Sequence, residues 1–258
     1  MTQLQQTSVH NRLLSGLTPE DFGLLQPHLE PVPLELRQWL IEAGEPIQHV
    51  TFPEHGIISI LADTSEGRIE VGLIGPEGMA GLPVVLGIER SPHGYMVQAA
   101  GEAVRITAQD LRTALRHSPS LQAGFLRYAH TLMVQTAQTA YANAGFTLEA
   151  RLARWILMTD DRLEREELPL THDFLSMMLG VRRSGVTIAV QTLESDRLIR
   201  ARRGRVTVLD RTGLEEVADG AYGVSEAEYA SVMEAAELPR STLPVPISGA
   251  EAAQARGL

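Results

Sequence analysis

The stretch THDFLSMMLGVRRSGVTIAVQTLESDRLIRARRGRVTVL, residues 171–209, indicates the fold of the C-terminal half. Thr171 opens a short apolar run that stops at Gly180, a pattern typical of a helix with a threonine cap and a glycine after its last turn. A second run begins near Ser184, and its apolar residues share one side at helical spacing: Val186, Val190 and Leu193. Two short helices joined through a glycine turn predict a helix-turn-helix.

A basic hairpin is expected directly after these helices. The segments LIRA and VTVL read as two strands joined by the turn RRGR with Gly204 at its tip, which predicts a wing. From Arg182 to Arg211 the chain holds eight arginines and three acidic residues, although its formal net charge is -10. The chain has no lysine, so all 22 basic residues are arginines. This concentration predicts a nucleic-acid-binding surface on an otherwise acidic protein.

The arginines at the start of the second helix are the strongest candidates for contact with DNA. Positive charge at a helix N-terminus opposes the helix dipole, so an external anion explains it better than a solvated helix start does. An arginine fork can also pair with a guanine edge. The predicted DNA-binding residues are Arg182, Arg183, Ser184, Gly185, Thr187, Arg202, Arg203 and Arg205. For the three wing arginines the alternative is a solubilising hairpin tip.

The N-terminal half has a different pattern. Between Pro31 and about Ile106, short apolar or alternating segments are separated by Gly, Pro, Asp and Ser, which predicts an antiparallel β-barrel or jelly roll. A long helical stretch follows and is interrupted at Ser118-Pro119, a cap followed by a first-turn proline.

Beyond this interruption the helix carries apolar residues on two neighbouring faces. A helix that is apolar on more than one face must be covered on more than one side. We therefore expect it to pack between its own barrel and the identical helix of a second copy; the alternative is burial within a monomer. The predicted dimerisation residues are Leu121, Phe125, Leu126, Tyr128, Ala129, Leu132 and Met133.

These motifs resemble the Crp/Fnr superfamily of bacterial transcription regulators. The family pattern has a threonine, a glycine nine residues on, and then Arg-Glu-Thr-Val at the recognition helix; Thr171, Gly180, Arg183 and Val186 match it. The resemblance extends over about residues 14–220 and implies a homodimer on two-fold-symmetric double-stranded DNA, with RNA polymerase as a further partner. The chain departs from the pattern at Ser184, Gly185 and Ile188, so the family's best-known operator is not transferred.

The resemblance also implies the domain organisation. The fold class is α+β, with an antiparallel barrel or jelly roll similar to the cyclic-nucleotide-binding fold, a long dimerisation helix and a C-terminal winged helix-turn-helix. The predicted units are a sensory barrel (14–110), a connecting and dimerisation helix (111–146), a winged helix-turn-helix domain (147–220), and a C-terminal helix with a flexible tail (221–258).

A second motif lies in the predicted sensory barrel. In nucleotide-binding relatives a Gly-Glu turn and an Arg-Ser or Arg-Thr pair hold the ribose and the cyclic phosphate. The corresponding candidate residues here are Gly75, Glu77, Gly78, Met79, Arg90 and Ser91. Pro76 is inserted before the glutamate, and Pro92 removes a backbone donor. A cyclic nucleotide is therefore one candidate ligand, with another ligand or none as the alternatives, and no cofactor is assigned.

The remaining features exclude other function classes. The chain has no cysteine, which removes disulfides and thiolate metal sites, and its eight histidines lack the spacing of a metal site. It contains no catalytic constellation, signal peptide or membrane-length apolar run, so we expect a cytoplasmic protein that is not an enzyme. The leading hypothesis is a dimeric DNA-binding transcription regulator; the alternative is a nucleotide-binding sensory module whose helix-turn-helix contacts proteins.

Overall fold

The computed structural model describes residues 4–65, 67–163 and 165–234. The fold is α+β, as predicted: a jelly-roll-like pair of antiparallel sheets is followed by a long helix and a winged helix-turn-helix. The C-terminal tail that the sequence predicts to be flexible lies outside the described residues.

The jelly roll consists of two antiparallel sheets. Its strands are β1 (Glu30–Leu34), β2 (Trp39–Ile41), β3 (His49–Pro53), β4 (Ile57–Thr64), β5 (Gly67–Ile74), β6 (Gly94–Ala99) and β7 (Gly101–Thr107). One sheet has the order β1-β7-β3 and the other the order β2-β6-β4-β5. Their inner faces meet in a hydrophobic core that includes Phe52, Ile58 and Val104.

The helices surround this pair of sheets and form most of the C-terminal half. They are α1 (Arg12–Ser15), α2 (Pro19–Leu25), α3 (Ala108–His117), α4 (Pro119–Gly145), α5 (Leu148–Asp160), α6 (His172–Leu179), α7 (Arg183–Ser195), α8 (Arg211–Ala218) and α9 (Val224–Tyr229). A π-helical turn follows at Ala230–Glu234. The predicted cap forms at Ser118, and Thr18 and Thr147 cap α2 and α5 in the same way, because each side chain accepts a hydrogen bond from the backbone N–H three residues on.

The strand β4 shows how the two halves of the chain meet. Ile58 and Ile60 point into the jelly-roll core, whereas Ile57 and Leu61 belong to a second core that they share with α5, α6 and α7. Because both faces of this strand are covered, apolar residues stand on both sides of Ser59 instead of alternating strictly with polar ones. The helix-turn-helix domain therefore packs directly on the outer face of the four-stranded sheet.

The long helical stretch is divided at Ser118, as predicted, and α4 runs for 27 residues beyond it. Five of the residues predicted to contact a second copy are instead buried in the chain's own core: Leu121, Phe125, Tyr128, Ala129 and Leu132. The other two, Leu126 and Met133, are 43% and 69% exposed. Of the seven residues predicted to face a second copy, only Leu126 and Met133 therefore remain available on the exposed side of α4.

The helix α4 is also fixed to the sheet by one amide side chain. The Nε2 atom of Gln135 donates to the carbonyl oxygen of Leu73 at 3.1 Å, and its Oε1 atom accepts from the backbone N–H of the same residue at 2.8 Å. Leu73 lies on β5, an edge strand of the four-stranded sheet. Gln135 thus satisfies a backbone donor and acceptor that a neighbouring strand would otherwise satisfy.

Candidate nucleic-acid interface

The helix-turn-helix is built as the sequence predicts. Thr171 caps α6 by accepting from the backbone N–H of Phe174, and Gly180 ends the helix with a φ of 63°. The turn is closed by a hydrogen bond of 2.8 Å from the hydroxyl of Ser176 to the carbonyl oxygen of Val181. Val186, Val190 and Leu193 are buried beneath α7. The opposite face of α7 is therefore available to a ligand.

The predicted wing is a tight hairpin. Its strands are β8 (Ile199–Arg202) and β9 (Arg205–Val208), with Arg202 opposite Arg205. The two residues between them, Arg203 and Gly204, have φ angles of 47° and 78°, the positive values that a type I′ turn requires. The turn places the side chain of Arg203 at the exposed tip.

A groove of about 430 Å³ separates the wing tip from the two helices. Its walls contain Arg183 from the start of α7, Arg203 from the wing, and His172 and Asp173 from the start of α6. The structure thus brings the predicted base-reading arginine and a predicted phosphate-binding arginine to one surface. Arg182, Ser184, Arg202 and Arg205 are exposed as well.

Two arginines of this surface are paired with acidic side chains of the chain itself. Arg183 Nη1 lies 3.2 Å from Asp173 Oδ1, and Arg205 Nη1 lies 2.6 Å from Glu167 Oε2. All four side chains are more than half exposed. Exposed pairs of this kind contribute about 0–1 kcal/mol each, so phosphate or a base edge can replace the carboxylate at small cost.

Two other predicted residues have roles inside the domain. The hydroxyl of Thr187 donates to the carbonyl oxygen of Arg183 and lies 3.0 Å from Nδ1 of His172, so it ties α7 to α6. Gly185 is half-buried, and a Cβ atom there would lie 3.2 Å from Cδ2 of Leu148. Its small size therefore permits close packing against α5; the structure does not place it on the open face with Arg183.

His172 and Asp173 are not among the residues that the sequence predicts to bind DNA. His172 is one of the eight histidines that lack the spacing of a metal site, and Asp173 is singled out in none of the motifs described above. The sequence feature that could have identified them is their position directly after the cap Thr171, in the first turn of the helix that precedes the reading helix.

One arginine of the basic segment is structural. Arg211 forms salt bridges of 2.7–3.0 Å with Asp160, Asp161 and Glu215, and it donates to the hydroxyl of Tyr222. Burial lowers the pKa of Arg211, but the nearby acidic groups, chiefly Asp161, raise the pKa by more, so the net shift is upward. Arg211 therefore holds α8 against α5, and the charge available to a polyanion is smaller than the sequence count.

The candidate nucleotide-binding residues fall into two places. Glu77 forms a nearly buried salt bridge of 2.7 Å with Arg162, and Tyr128 packs against Gly78, where its ring occupies the space that a side chain would need. The two cavities lined by Glu77 contain neither Arg90 nor Ser91.

The other candidates have local partners. Arg90 donates to the carbonyl oxygen of Gly44, the buried Ser91 accepts from the backbone N–H of His93, and Met79 is fully buried. Gly75 is in close contact with Arg162 and Glu77. A cyclic nucleotide at these residues remains a prediction.

A second buried polar contact lies where the jelly roll meets α5. Glu70 on β5 accepts a hydrogen bond of 2.8 Å from Nε1 of Trp155, while its Oε2 atom has no partner among the described residues. Burial raises the pKa of Glu70 to about 7, although the nearby Ser59, the hydrogen bond from Trp155 and the charges of Arg154 and Arg162 act in the opposite direction.

The described part of the chain shows no helix that is long and apolar enough to cross a membrane. Over the same residues, no group of three or more His, Asp or Glu side chains could hold a metal ion.

Comparisons with known proteins agree with this architecture. Residues 150–217 match the family model of the Crp-like helix-turn-helix domain. The fold is similar to that of FixK2 from Bradyrhizobium japonicum, with 14% identity, a TM-score of 0.65, and 73% of this chain and 96% of that chain covered. No curated protein matches the chain by sequence.

Two further solved structures share the fold. TTHA1359, a CRP/FNR family transcriptional regulator from Thermus thermophilus, has 23% identity and a TM-score of 0.62 over 74% of this chain and 100% of that chain. CLP, a c-di-GMP responsive global regulator from Xanthomonas campestris, has 16% identity and a TM-score of 0.62 over 74% of this chain and 99% of that chain.

The fold and the exposed basic surface define a winged helix-turn-helix protein with an N-terminal jelly roll. The match over residues 150–217 identifies this part of the chain as a Crp-like helix-turn-helix domain, and the chain as a whole shares the fold of FixK2 and TTHA1359.

Proposed function

We propose that this protein is a cytoplasmic homodimer that reads a two-fold-symmetric DNA site and regulates transcription through contact with RNA polymerase. Arg183 reads a guanine in the major groove, while Arg202 and Arg203 contact phosphates beside it. The observation that carries this proposal is the groove in which Arg183 at the start of α7 and Arg203 at the wing tip lie together.

The exposed stripe of α4 supports the dimer. Leu126, Met133 and Tyr141 are 43%, 69% and 57% exposed, and alanines 123, 137, 140 and 144 are at least partly exposed near them on the helix. Small residues let two helices approach closely, and the larger ones supply apolar area. A second copy packed along this stripe would cover the apolar side of α4 that the chain's own jelly roll leaves open.

The DNA-binding proposal is tested with the full chain and a pool of random duplexes. We expect recovered fragments to share a two-fold-symmetric site, with half-site centres about one helical turn apart. Binding to that site should weaken steeply with salt. Recovery of no common sequence, together with salt-independent binding, would contradict a reading role and favour a protein-contact role for the helix-turn-helix.

The dimer is tested by sedimentation equilibrium of Met133→Glu. This change places a charge in the middle of the stripe and should shift the protein from dimer to monomer. Leu36→Glu is the matched control, because Leu36 is 58% exposed but lies outside α4. A dimer that survives Met133→Glu and Leu126→Glu together would place the interface elsewhere.

A further inference from the structure

A cavity of about 330 Å³ lies where the jelly roll, α4, the end of α5 and the C-terminal segment meet. We call it the junction cavity; its walls include Glu77, Thr131, Asp161, Arg162, Tyr222 and Glu226. Its volume falls within the range of small-molecule sites. Because its walls come from both the sensory half and the segment that follows the wing, an occupant contacts both halves of the chain.

Three of the hydroxyl groups on its walls have already used their hydrogens. Tyr222 donates to Asp161 at 2.7 Å, Thr131 donates to the carbonyl oxygen of Tyr128 at 2.8 Å, and Ser225 donates to Glu226 at 3.0 Å. A hydroxyl has one hydrogen and two lone pairs, so these groups can offer an incoming molecule only acceptors. A ligand that binds at these three groups must therefore be a hydrogen-bond donor.

The charges on the walls also bear on the kind of ligand that fits. Arg162 is paired with Glu77, and Asp161 is paired with Arg211. Glu226 has no salt-bridge partner among the described residues: its Oε2 atom accepts from the backbone N–H of Gly223 and from Ser225, which leaves its Oε1 atom available.

Arg12 is the other lining residue without a salt bridge in the described residues, but it is exposed and hence better screened by solvent than the half-buried Glu226. Of these two charges the less exposed is therefore the negative one, which Arg154 and Arg162 attract without forming a salt bridge.

We propose that the junction cavity binds a small organic amine, with its ammonium group on Glu226 and its apolar body beside the ring of Tyr222. The ammonium group supplies donors for these hydroxyl oxygens and a positive charge for the carboxylate of Glu226. Tyr229 lines the same cavity and fastens α9 to the jelly roll, since its hydroxyl donates to the carbonyl oxygen of Glu77 at 2.9 Å.

A bound amine would stabilise the contact of α9 with α4 and the Glu77 loop, because it touches all three. It would then act as an effector by favouring one position of the winged helix-turn-helix relative to α4. This effector role rests on the proposed function, whereas amine binding does not.

The binding test uses calorimetric titration of the full chain, without DNA, with three probes of matched shape: benzylamine, benzyl alcohol and benzoate. We expect benzylamine to bind with a Kd in the millimolar range, as is usual for so small a ligand. Benzyl alcohol should bind at least tenfold more weakly, and benzoate should show no saturable heat. Binding of benzoate as tight as that of benzylamine, or no binding of any probe, would overturn the proposal.

Variants locate the site. Glu226→Gln should lower the affinity for benzylamine at least tenfold and leave that for benzyl alcohol unchanged. Glu228→Gln is the matched control on the same helix, because Glu228 is bonded to His130 instead of lining the cavity. Ala230→Phe fills the cavity from another residue and should abolish binding while the thermal unfolding transition stays cooperative. Normal benzylamine binding by both Glu226→Gln and Ala230→Phe would overturn the site.

The effector role has a separate readout. Saturating benzylamine should change the operator Kd at least threefold in the natural chain and leave it unchanged in Glu226→Gln. An unchanged Kd in the natural chain would overturn the effector role alone, and a failure to select any operator would count against the proposed function without affecting the calorimetric result.

Discussion

The arginines of the DNA-binding surface and those at the junction between the two halves carry the same guanidinium group, but the first are exposed to solvent and the second are buried. Arg183 and Arg205 have side chains that are 68% and 65% exposed, and their carboxylate partners are exposed as well. The side chain of Arg162 is only 9% exposed, and Arg154 is 5% exposed. The first set can exchange its partners for DNA, whereas Arg154 donates to Thr139 on α4 and Arg162 pairs with Glu77 after β5, which fixes both inside the fold.

The difference follows from solvation. An exposed guanidinium keeps most of its hydration, so its pair with Asp or Glu is weak and easily replaced. A buried guanidinium has lost that hydration, so its remaining partners decide whether the fold tolerates it. Desolvation lowers the pKa of Arg154, whereas at Arg162 the nearby carboxylates, Glu77 first, outweigh desolvation and raise the pKa.

The largest expected effect is that of breaking the buried pair. Arg162→Ala leaves Glu77 without its cation and should lower the free energy of unfolding by about 3–5 kcal/mol, measured by urea denaturation. The double variant Arg162→Met with Glu77→Gln removes both charges and should lose clearly less. Equal losses in the two proteins would show that packing, rather than charge pairing, makes this arginine important.

The next effect is a dependence on pH. Burial raises the pKa of Glu70 to about 7 from its ordinary value near 4.5, so between these values the folded protein holds a proton that the unfolded chain releases. The stabilising effect is fully present below pH 4.5 and is lost as the pH rises through 7, a change of roughly 3 kcal/mol in the free energy of unfolding.

Glu70→Gln should flatten this part of the stability profile, since the glutamine oxygen still accepts from Trp155 but carries no titrating group. The comparison is made by denaturation at several pH values between about 4 and 8, the range that brackets both pKa values. An identical slope in the variant would mean that Glu70 is not the group that titrates.

On the exposed side, Arg183→Ala tests base reading. The variant should lose about 1–3 kcal/mol of discrimination at one base pair per half-site and bind operators that differ there almost equally. Arg116→Ala is the matched control, because Arg116 is exposed on α3. A uniform loss at all positions would reassign Arg183 to the phosphates.

The smallest effect is expected at the wing tip. Arg203→Ala should weaken binding to all sequences alike and reduce the slope of log K against log salt by about one unit per half-site contact. Fluorescence anisotropy over a salt series measures both quantities. A change in base preference without a change in slope would indicate that the wing reads bases.

The fold was predictable where the deciding interactions are local. Thr171 as a cap and Gly180 as a helix end act on their own helix, and the turn at Gly204 depends only on its neighbours along the chain. The sequence also indicated two apolar stripes on α4. Periodicity does not say which stripe faces inward, however, so Tyr128 and Leu132 were assigned to a partner although they lie against their own jelly roll.

The candidate site was predictable in part for the same reason. The DNA-binding arginines cluster in sequence, and the clustering identifies them. Glu77 and Arg162 are 85 residues apart in the sequence, and no local sequence pattern predicts that they form a salt bridge. Glu77 was therefore assigned to a ligand, because its turn resembles a nucleotide-binding turn. The salt bridge between Arg183 and Asp173 was not predicted.

The amide bridge between Gln135 and Leu73 has a consequence for signalling. A helix fastened to an edge strand at both a donor and an acceptor cannot slide by one turn along the sheet without losing two bonds at once. Rotation of α4 would thus carry β5 along with it, and movement between the jelly roll and the winged helix-turn-helix would fall to the residues that follow Gln135.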